Sequence, residues 1–90
     1  MHAVVVNVSI KDPEPALAAL REEVVPRASQ APGFVTGYWL RSEDGRGLSV
    51  LVCESGEAAQ ALAEQIRSMG SPSDAVDLDS VDVREVVANA

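Results

Sequence analysis

Residues that could form a disulfide or hold a phosphate are scarce in this 90-residue chain. It contains one cysteine, Cys53, so an intrachain disulfide is excluded. Seven basic residues stand against fourteen acidic ones, for a net charge of −7. This charge argues against nucleic acid and anionic membranes as partners, because phosphates require a basic surface. With no apolar run near the ~20 residues of a membrane span and no basic signal-peptide region, the sequence predicts a soluble cytoplasmic protein.

Aromatic residues make up only 3% of the chain, so Val, Leu and Ala must fill its interior. The single Phe, Tyr and Trp all fall within residues 34–41. The length predicts one domain covering residues 1–90. A chain of this size buries only roughly 60% of its unfolded surface, so its core is thin and a second copy would help to stabilise it.

Hydrophobic spacing predicts the order strand, helix, strand, strand, helix, strand. The strands are expected at 3–10, 34–41, 48–54 and 81–87, where β-branched residues are frequent. The segments 42–47 and 71–77 read as a hairpin loop around Asp44-Gly45 and a polar loop.

The helix boundaries follow from capping residues and breakers. Asp12 is expected to cap the first helix through its side chain, and Pro26 predicts a kink or helix end near Val25. The second helix is expected at about 56–69, with Ser55 as its N-cap and Gly70 as its stop.

The period of two assigns faces to the strands. On the first strand, one face carries Val4, Val6, Val8 and Ile10, and the other carries Val5, Asn7 and Ser9. On the second strand, Phe34, Thr36, Tyr38 and Leu40 share one face, opposite Val35, Gly37, Trp39 and Arg41. Only one of Tyr38 and Trp39 should therefore line a pocket.

This order is the ferredoxin-like βαββαβ pattern of the α+β class, a four-stranded antiparallel sheet with two helices on one face. The other face is expected to carry Val5, Leu51, Val86 and one face of the second strand. An apolar surface of that extent predicts a homodimer, in which a second subunit packs its sheet against the helix-free face.

The chain resembles the dimeric α/β-barrel superfamily, and within it the antibiotic biosynthesis monooxygenase-like domains. The similarity rests on the βαββαβ order, on Val25-Pro26-Arg27 before Pro32-Gly33-Phe34, on the hairpin at residues 42–45, and on Glu54-Ser55 before an Ala-rich helix. It implies a face-to-face dimer with a pocket between sheet and helices. Members include cofactor-independent oxygenases and heme-degrading enzymes, so the fold alone selects no function.

The resemblance also suggests site residues. Several such oxygenases use an Asn on the first strand, where this chain has Asn7, together with a Trp that usually lies near the second helix; here Trp39 is on the second strand. The heme-degrading branch needs an axial His on or after the second helix, and the only His of this chain is His2. This argues against heme chemistry of that kind. No cofactor is expected, and no metal is expected because the sequence has no Cys or His metal-ligand spacing.

The sequence leaves two interpretations of the candidate residues. Asn7 is the candidate catalytic residue, and the candidate substrate-binding residues are Trp39, Tyr38, Val5 and Leu51. The alternative is that these are ordinary core, surface or dimer-contact residues. Arg41, Arg46 and Arg84 are possible anion holders, although solvated or dimer-paired arginines are more common. Cys53 is expected to be a buried, unreactive thiol.

Two functions follow. The first is a homodimeric, small-molecule-binding domain resembling cofactor-independent monooxygenases, which would oxidise a flat aromatic or polyketide-like substrate. The alternative is a non-catalytic dimerisation or ligand-sensing module. A cavity that holds Asn7 and one aromatic ring would favour the first, and a cavity filled by Val, Leu and Met side chains would favour the second.

Overall fold

The structure is a computed structural model and describes residues 1–71 and 74–90. Its elements are β1 (His2–Ile10), α1 (Pro13–Ala19), a π-helical turn (Leu20–Val24), α2 (Val25–Ser29), β2 (Phe34–Arg41), β3 (Arg46–Cys53), α3 (Gly56–Met69) and β4 (Val76–Glu85). The strands form one antiparallel sheet in the order β2-β3-β1-β4, and the helices cover one of its faces. This arrangement confirms the predicted ferredoxin-like α+β fold. Within the described ranges, no helix is both long and apolar enough to cross a bilayer.

The core lies between the sheet and α3. Its buried members are Val4, Val6, Leu51, Cys53, Ala59, Leu62, Ala63 and Val81. β1 therefore turns the predicted valine face toward the helices. α3 packs closely against the loop that leads into β2. A Cβ on Gly33 in this loop, where φ is +79°, would come within 2.7 Å of Ala58 Cβ.

The predicted bounds of α3 are confirmed at both ends. Ser55 Oγ accepts a hydrogen bond from the Ala58 amide at 3.1 Å, which satisfies a first-turn donor that the helix itself cannot pair. Gly70 ends the helix with a φ of +69°, a conformation that suits glycine.

α1, the π turn and α2 follow one another without a break and form the first helical run, residues 13–29. This run continues through Pro26, where a kink or helix end was predicted. Val25 N–H donates to the Leu20 carbonyl, an i→i−5 bond that defines the π turn. Pro26 follows in the first turn of α2, directly after the π turn. The predicted side-chain cap by Asp12 is wrong, since its carboxylate accepts no hydrogen bond from the first turn.

Two β-bulges change the predicted faces. In β2, Phe34 pairs with Cys53 and Thr36 with Val52, so Val35 is the extra residue. Phe34 therefore lies on the helix-covered face with Trp39, whereas the simple alternation placed it with Tyr38. Tyr38 is 60% exposed on the helix-free face.

β4 begins at Val76 and ends at Glu85, where the alternation predicted 81–87. Asn7 pairs with Ser80 and Val8 with Leu78, which makes Asp79 a bulge residue. Leu78 and Val81, three positions apart, consequently both pack on the core. Part of the predicted 71–77 loop is thus strand, and residues 72–73 of that loop lie outside the described residues.

Candidate functional site

A cavity of about 370 Å³ lies between the sheet and the helices. Its volume is within the ~300–1,000 Å³ typical of small-molecule sites. The sheet contributes Val6, Val8, Trp39, Ser49 and Leu51, and the helical side contributes Leu17, Leu20, Val24, Leu62 and Ile66. Most of this lining is aliphatic, so the cavity suits an apolar molecule.

The cavity exists because the first helical run presents small side chains to the sheet. Its buried residues are Ala16 and Ala28, at opposite ends of the run. Between them the larger Leu17, Leu20 and Val24 are only half-buried and border the space without filling it. Leu17, Leu20, Val24 and Ala28 thus form an apolar stripe that faces the sheet and encloses a void.

Trp39 forms an aromatic part of the cavity wall. Its ring reaches back along β2 over Gly37: a Cβ on Gly37 would lie 3.0 Å from Trp39 Cη2, 3.1 Å from Leu51 Cδ2 and 3.1 Å from Phe34 Cζ. The absence of a side chain at Gly37 lets these three side chains pack together. Trp39 Nε1 is buried without an acceptor among the described residues, so a hydrogen-bond donor is left unsatisfied beside the cavity.

Charged and polar side chains also border the cavity. They are Glu23, Arg27, Arg41, Ser49, Gln65 and Ser71. Arg27 Nη1 lies 3.9 Å from Met69 Sδ, so this weak contact links α2 to the end of α3 at the cavity. Across residues 1–71 and 74–90, Arg41 has neither an ion pair nor a side-chain hydrogen bond.

Two of the predicted substrate-binding residues, Trp39 and Leu51, line this cavity. Leu51 was expected on the helix-free face, and that placement is wrong: it pairs with Val4 and is only 2% exposed beneath the helices. Tyr38 and Val5 lie on the helix-free face and are not part of the cavity lining. Trp39, and not Tyr38, is therefore the cavity aromatic.

Asn7 also lies on the helix-free face, and its Nδ2 donates to Ser80 Oγ at 3.0 Å. It borders a separate depression of about 280 Å³ near the β2–β3 hairpin, together with Leu40, Arg41 and Arg46. A cavity holding both Asn7 and an aromatic ring, which would have favoured the oxygenase function, is thus not found among the described residues. A catalytic role for Asn7 stays a prediction and would have to be exerted from this other face.

Two further reactive residue types are outside the cavity. Cys53 is fully buried, and burial raises the pKa of its thiol above the ordinary value, which keeps it protonated and a poor nucleophile. His2 packs beside Gly56, at the start of α3, with its Nδ1 buried and unpaired in the described part of the chain.

Among the described residues, the cavity lining offers few of the side chains that hold heme iron. Heme iron is usually held by His, Cys or Tyr, and none of these types is among the described residues that line the cavity. Met69 contributes a thioether, but this sulfur is already in contact with Arg27. Nor do the described residues contain a cluster of three metal-ligating side chains.

Arg27, Ser49 and Gln65 were not identified from the sequence. Ser49 lies opposite Trp39 across the β2–β3 ladder, so its position depends on a register that a single sequence does not display. Arg27 reaches the cavity because α2 continues beyond Pro26. Of the polar residues that border the cavity, Arg41 could be placed from the sequence. It follows Trp39 by two positions on one strand and must therefore share its face.

A two-layer βαββαβ domain with an apolar cavity between sheet and helices defines a small-molecule-binding, monooxygenase-like fold. No family model and no curated protein matches the sequence. Solved structures do match. The heme-degrading protein Rv3592 from Mycobacterium tuberculosis, in a heme-free form, is 30% identical, with a TM-score of 0.58 over 100% of this chain and 99% of that one.

The same protein, MhuD (Rv3592), with two hemes bound in its active site, is 28% identical over 97% of this chain and 98% of that one, with a TM-score of 0.58. The monooxygenase from ActVA-Orf6 of Streptomyces coelicolor, in complex with Nanaomycin D, is 16% identical over 99% of this chain and 92% of that one, with a TM-score of 0.55, and shares the fold alone. The chain belongs to the antibiotic biosynthesis monooxygenase-like domains of the dimeric α/β-barrel superfamily.

Proposed function

We propose that this domain binds a flat, electron-rich aromatic or polyketide-like molecule in the cavity and oxidises it with molecular oxygen. The observation that carries the proposal is the open, mainly aliphatic cavity of about 370 Å³ with Trp39 on its wall. A planar ring can stack against the indole while aliphatic side chains cover its other surface. The structural neighbours support the proposal, because they were solved with heme and with Nanaomycin D bound.

The residues of this chain would assist such a reaction by favouring the ionised substrate. Arg27 and Arg41 border the cavity, and a nearby cation stabilises a phenolate or enolate relative to its neutral form. The aliphatic lining excludes water from the reacting ring. When the reacting group is a ring methylene, it becomes a carbonyl: one atom of O₂ enters the substrate, the other leaves as water, and the two C–H bonds supply the four electrons.

A ligand-sensing module without catalysis is the second candidate, and the position of Asn7 favours it. Asn7 does not share the cavity with Trp39. An enzyme of this kind would then have to work with the polar groups that border the cavity, among them Arg27, Arg41 and Ser49. Binding without turnover would select this second function.

Intrinsic fluorescence tests the binding step, because Trp39 is the only tryptophan of the chain. Titration with hydroxylated anthrones and quinols should change its emission saturably. Tyr38→Phe is the matched control, since Tyr38 lies on the opposite face, and it should leave the titration unchanged. A linear response without saturation, for every compound, would contradict the proposed site.

Oxygen consumption with the same compounds tests turnover. The catalytic proposal expects oxygen uptake that depends on the protein and falls in Arg41→Gln. Asn7→Ala separates the two faces: unchanged uptake would place the reaction in the cavity, whereas lost uptake would place it at the helix-free face. Saturable binding with no uptake across the panel would favour the sensing module.

We also propose that the protein is a homodimer that pairs its helix-free sheet faces. This face exposes large apolar side chains on the edge strand β2, with Tyr38 60% and Leu40 53% exposed. Edge-strand residues of this kind are costly to leave in water and prone to pairing with another copy. A second sheet would cover them together with the depression beside Asn7.

A further inference from the structure

The three arginines on the sheet differ in their partners. Arg46 lies 3.9 Å from Asp44, and Arg84 lies 3.9 Å from Asp82. Arg41 has no acidic partner among the described residues, although acidic residues outnumber basic ones by fourteen to seven. A cation left unpaired in so acidic a chain, at the border of an apolar cavity, is available to an anion from outside the protein.

The distance between Arg41 and Trp39 indicates what size of anionic ligand could contact both residues. Both residues lie on the helix-covered face of β2, two positions apart, and both line the cavity. At ~3.3 Å per residue their Cα atoms are roughly 6.6 Å apart along the strand. Because the indole extends over Gly37, away from Arg41, a ligand whose ring lies on the indole has to be longer than this Cα separation to place a substituent at the Arg41 guanidinium.

The charges across the cavity agree with this orientation. Arg27 borders the cavity from α2, and among the described residues its guanidinium has no acidic partner and lies 3.9 Å from the neutral sulfur of Met69. Glu23 is the one acidic side chain that borders the cavity within the described chain. Two cations against one carboxylate give the cavity a positive balance inside a protein of net charge −7.

We propose that the cavity selects aromatic ligands that carry an anionic oxygen group, a carboxylate or an ionised phenol or enol, and that Arg41 holds this group while the ring lies on Trp39. This inference rests on the proposed ligand-binding function and specifies its ligand class. A guanidinium can bind a carboxylate through two parallel N–H···O bonds, which fixes orientation as well as charge. The neutral analogue of the same shape keeps the ring contact and loses the ionic one.

Calorimetry with 2-naphthoate and naphthalene-2-carboxamide isolates the anionic contact, because the two probes have nearly the same shape and differ in charge. The wild-type protein should bind 2-naphthoate about tenfold more tightly than the amide. Arg41→Gln should weaken naphthoate by about tenfold and leave the amide unchanged, and Arg41→Lys should weaken it less. Added NaCl should weaken only the naphthoate.

Arg46→Gln is the matched control, because Arg46 borders only the depression next to Asn7, whereas Arg41 borders both spaces. It should leave both affinities unchanged, and an equal loss in Arg46→Gln would move the anion to the helix-free face and overturn the proposal. Equal binding of the two probes, or equal loss of both in Arg41→Gln, would overturn the anion preference alone. If neither probe binds, the ligand-binding function fails with it.

Discussion

Gly37 determines where the indole of Trp39 can lie. A methyl group at this position would approach Trp39, Leu51 and Phe34 at 3.0–3.1 Å, closer than ordinary contact. Each of these neighbours belongs to or packs on the core, so none can move without loosening its own contacts.

Gly37→Ala is therefore expected to displace the indole and disturb the cavity wall. Overpacking of this kind costs about 1–3 kcal/mol of the free energy of unfolding. Urea denaturation would measure that loss, and titration of Trp39 fluorescence would measure the accompanying loss of ligand affinity. Unchanged affinity in a destabilised Gly37→Ala protein would show that the indole position does not matter for binding.

Gly33 and Gly70 form a matched pair that separates backbone strain from close packing. Both have positive φ, +79° and +69°, but a Cβ on Gly33 would meet Ala58 at 2.7 Å and one on Gly70 would meet nothing within 4 Å. Gly70→Ala should cost about 1–3 kcal/mol from strain alone, because its φ of +69° and ψ of −149° are adopted almost only by glycine. Gly33→Ala should cost more, because α3 must also move away from the loop. Equal costs in urea denaturation would mean that α3 does not depend on this contact.

The thiol of Cys53 should be chemically silent while the protein is folded. Burial raises its pKa, so the folded state favours the protonated thiol. Its contribution to stability is complete below the unfolded pKa of the thiol and is lost as the pH rises through the folded value. Iodoacetamide should label Cys53 at neutral pH only at the rate of unfolding. Rapid labelling without denaturant would contradict the buried position.

At the scale of the element, α3 shows what local sequence can specify. Ser55 and Gly70 mark its ends by bonds and angles that depend only on nearby residues, so both were predicted to the residue. The bulges at Val35 and Asp79 depend on cross-strand pairing, and neighbouring strands are not visible in one sequence. The predicted faces of Phe34 and the bounds of β4 failed for this reason. The spacing of three between Leu78 and Val81 was the one local sign of a bulge.

The cap of α3 gives a second matched pair. Ser55→Ala removes the acceptor for the Ala58 amide and should lower the free energy of unfolding by about 1 kcal/mol. Ser68→Ala, in the last turn of the same helix, removes a bond to the Gln65 carbonyl, which already lies within a helix, and should cost less. Thermal unfolding followed by circular dichroism would compare the two. A larger loss in Ser68→Ala would refute the capping role.

The candidate site was predictable only in part, again for reasons of register. Trp39 was a candidate because it is the single tryptophan of the chain. The alternation along its strand placed it on the face opposite Tyr38, which is correct. Leu51 could not be placed because both faces of β3 are apolar, and only its pairing with Val4 brings it under the helices. Asn7 was assigned correctly to the mixed face of β1. The resemblance implied a pocket between sheet and helices, on the face opposite Asn7, so a cavity that also held Asn7 did not agree with the predicted faces.

At the scale of the whole molecule, the apolar helix-free face predicts association. Light scattering should give twice the 9.5 kDa chain mass at micromolar concentration. Tyr38→Glu should shift the mass toward 9.5 kDa, because it would bury an unpaired carboxylate between the sheets. Ala61→Glu, on an exposed position of α3, is the control and should remain dimeric. A wild-type mass of one chain would refute the dimer.

The π turn at Leu20–Val24 determines where a residue can be deleted from the chain without disturbing the core. Its Val25-to-Leu20 hydrogen bond closes a wider ring than an α-helical bond, so the turn absorbs one residue more than a regular helix would need. Removing one residue from this turn should convert it to ordinary α-helix and leave Ala16 and Ala28 facing the sheet. Removing one residue from α3, which is α-helical throughout, should rotate half of that helix away from the core. Related chains should therefore vary in length at the π turn far more readily than within α3.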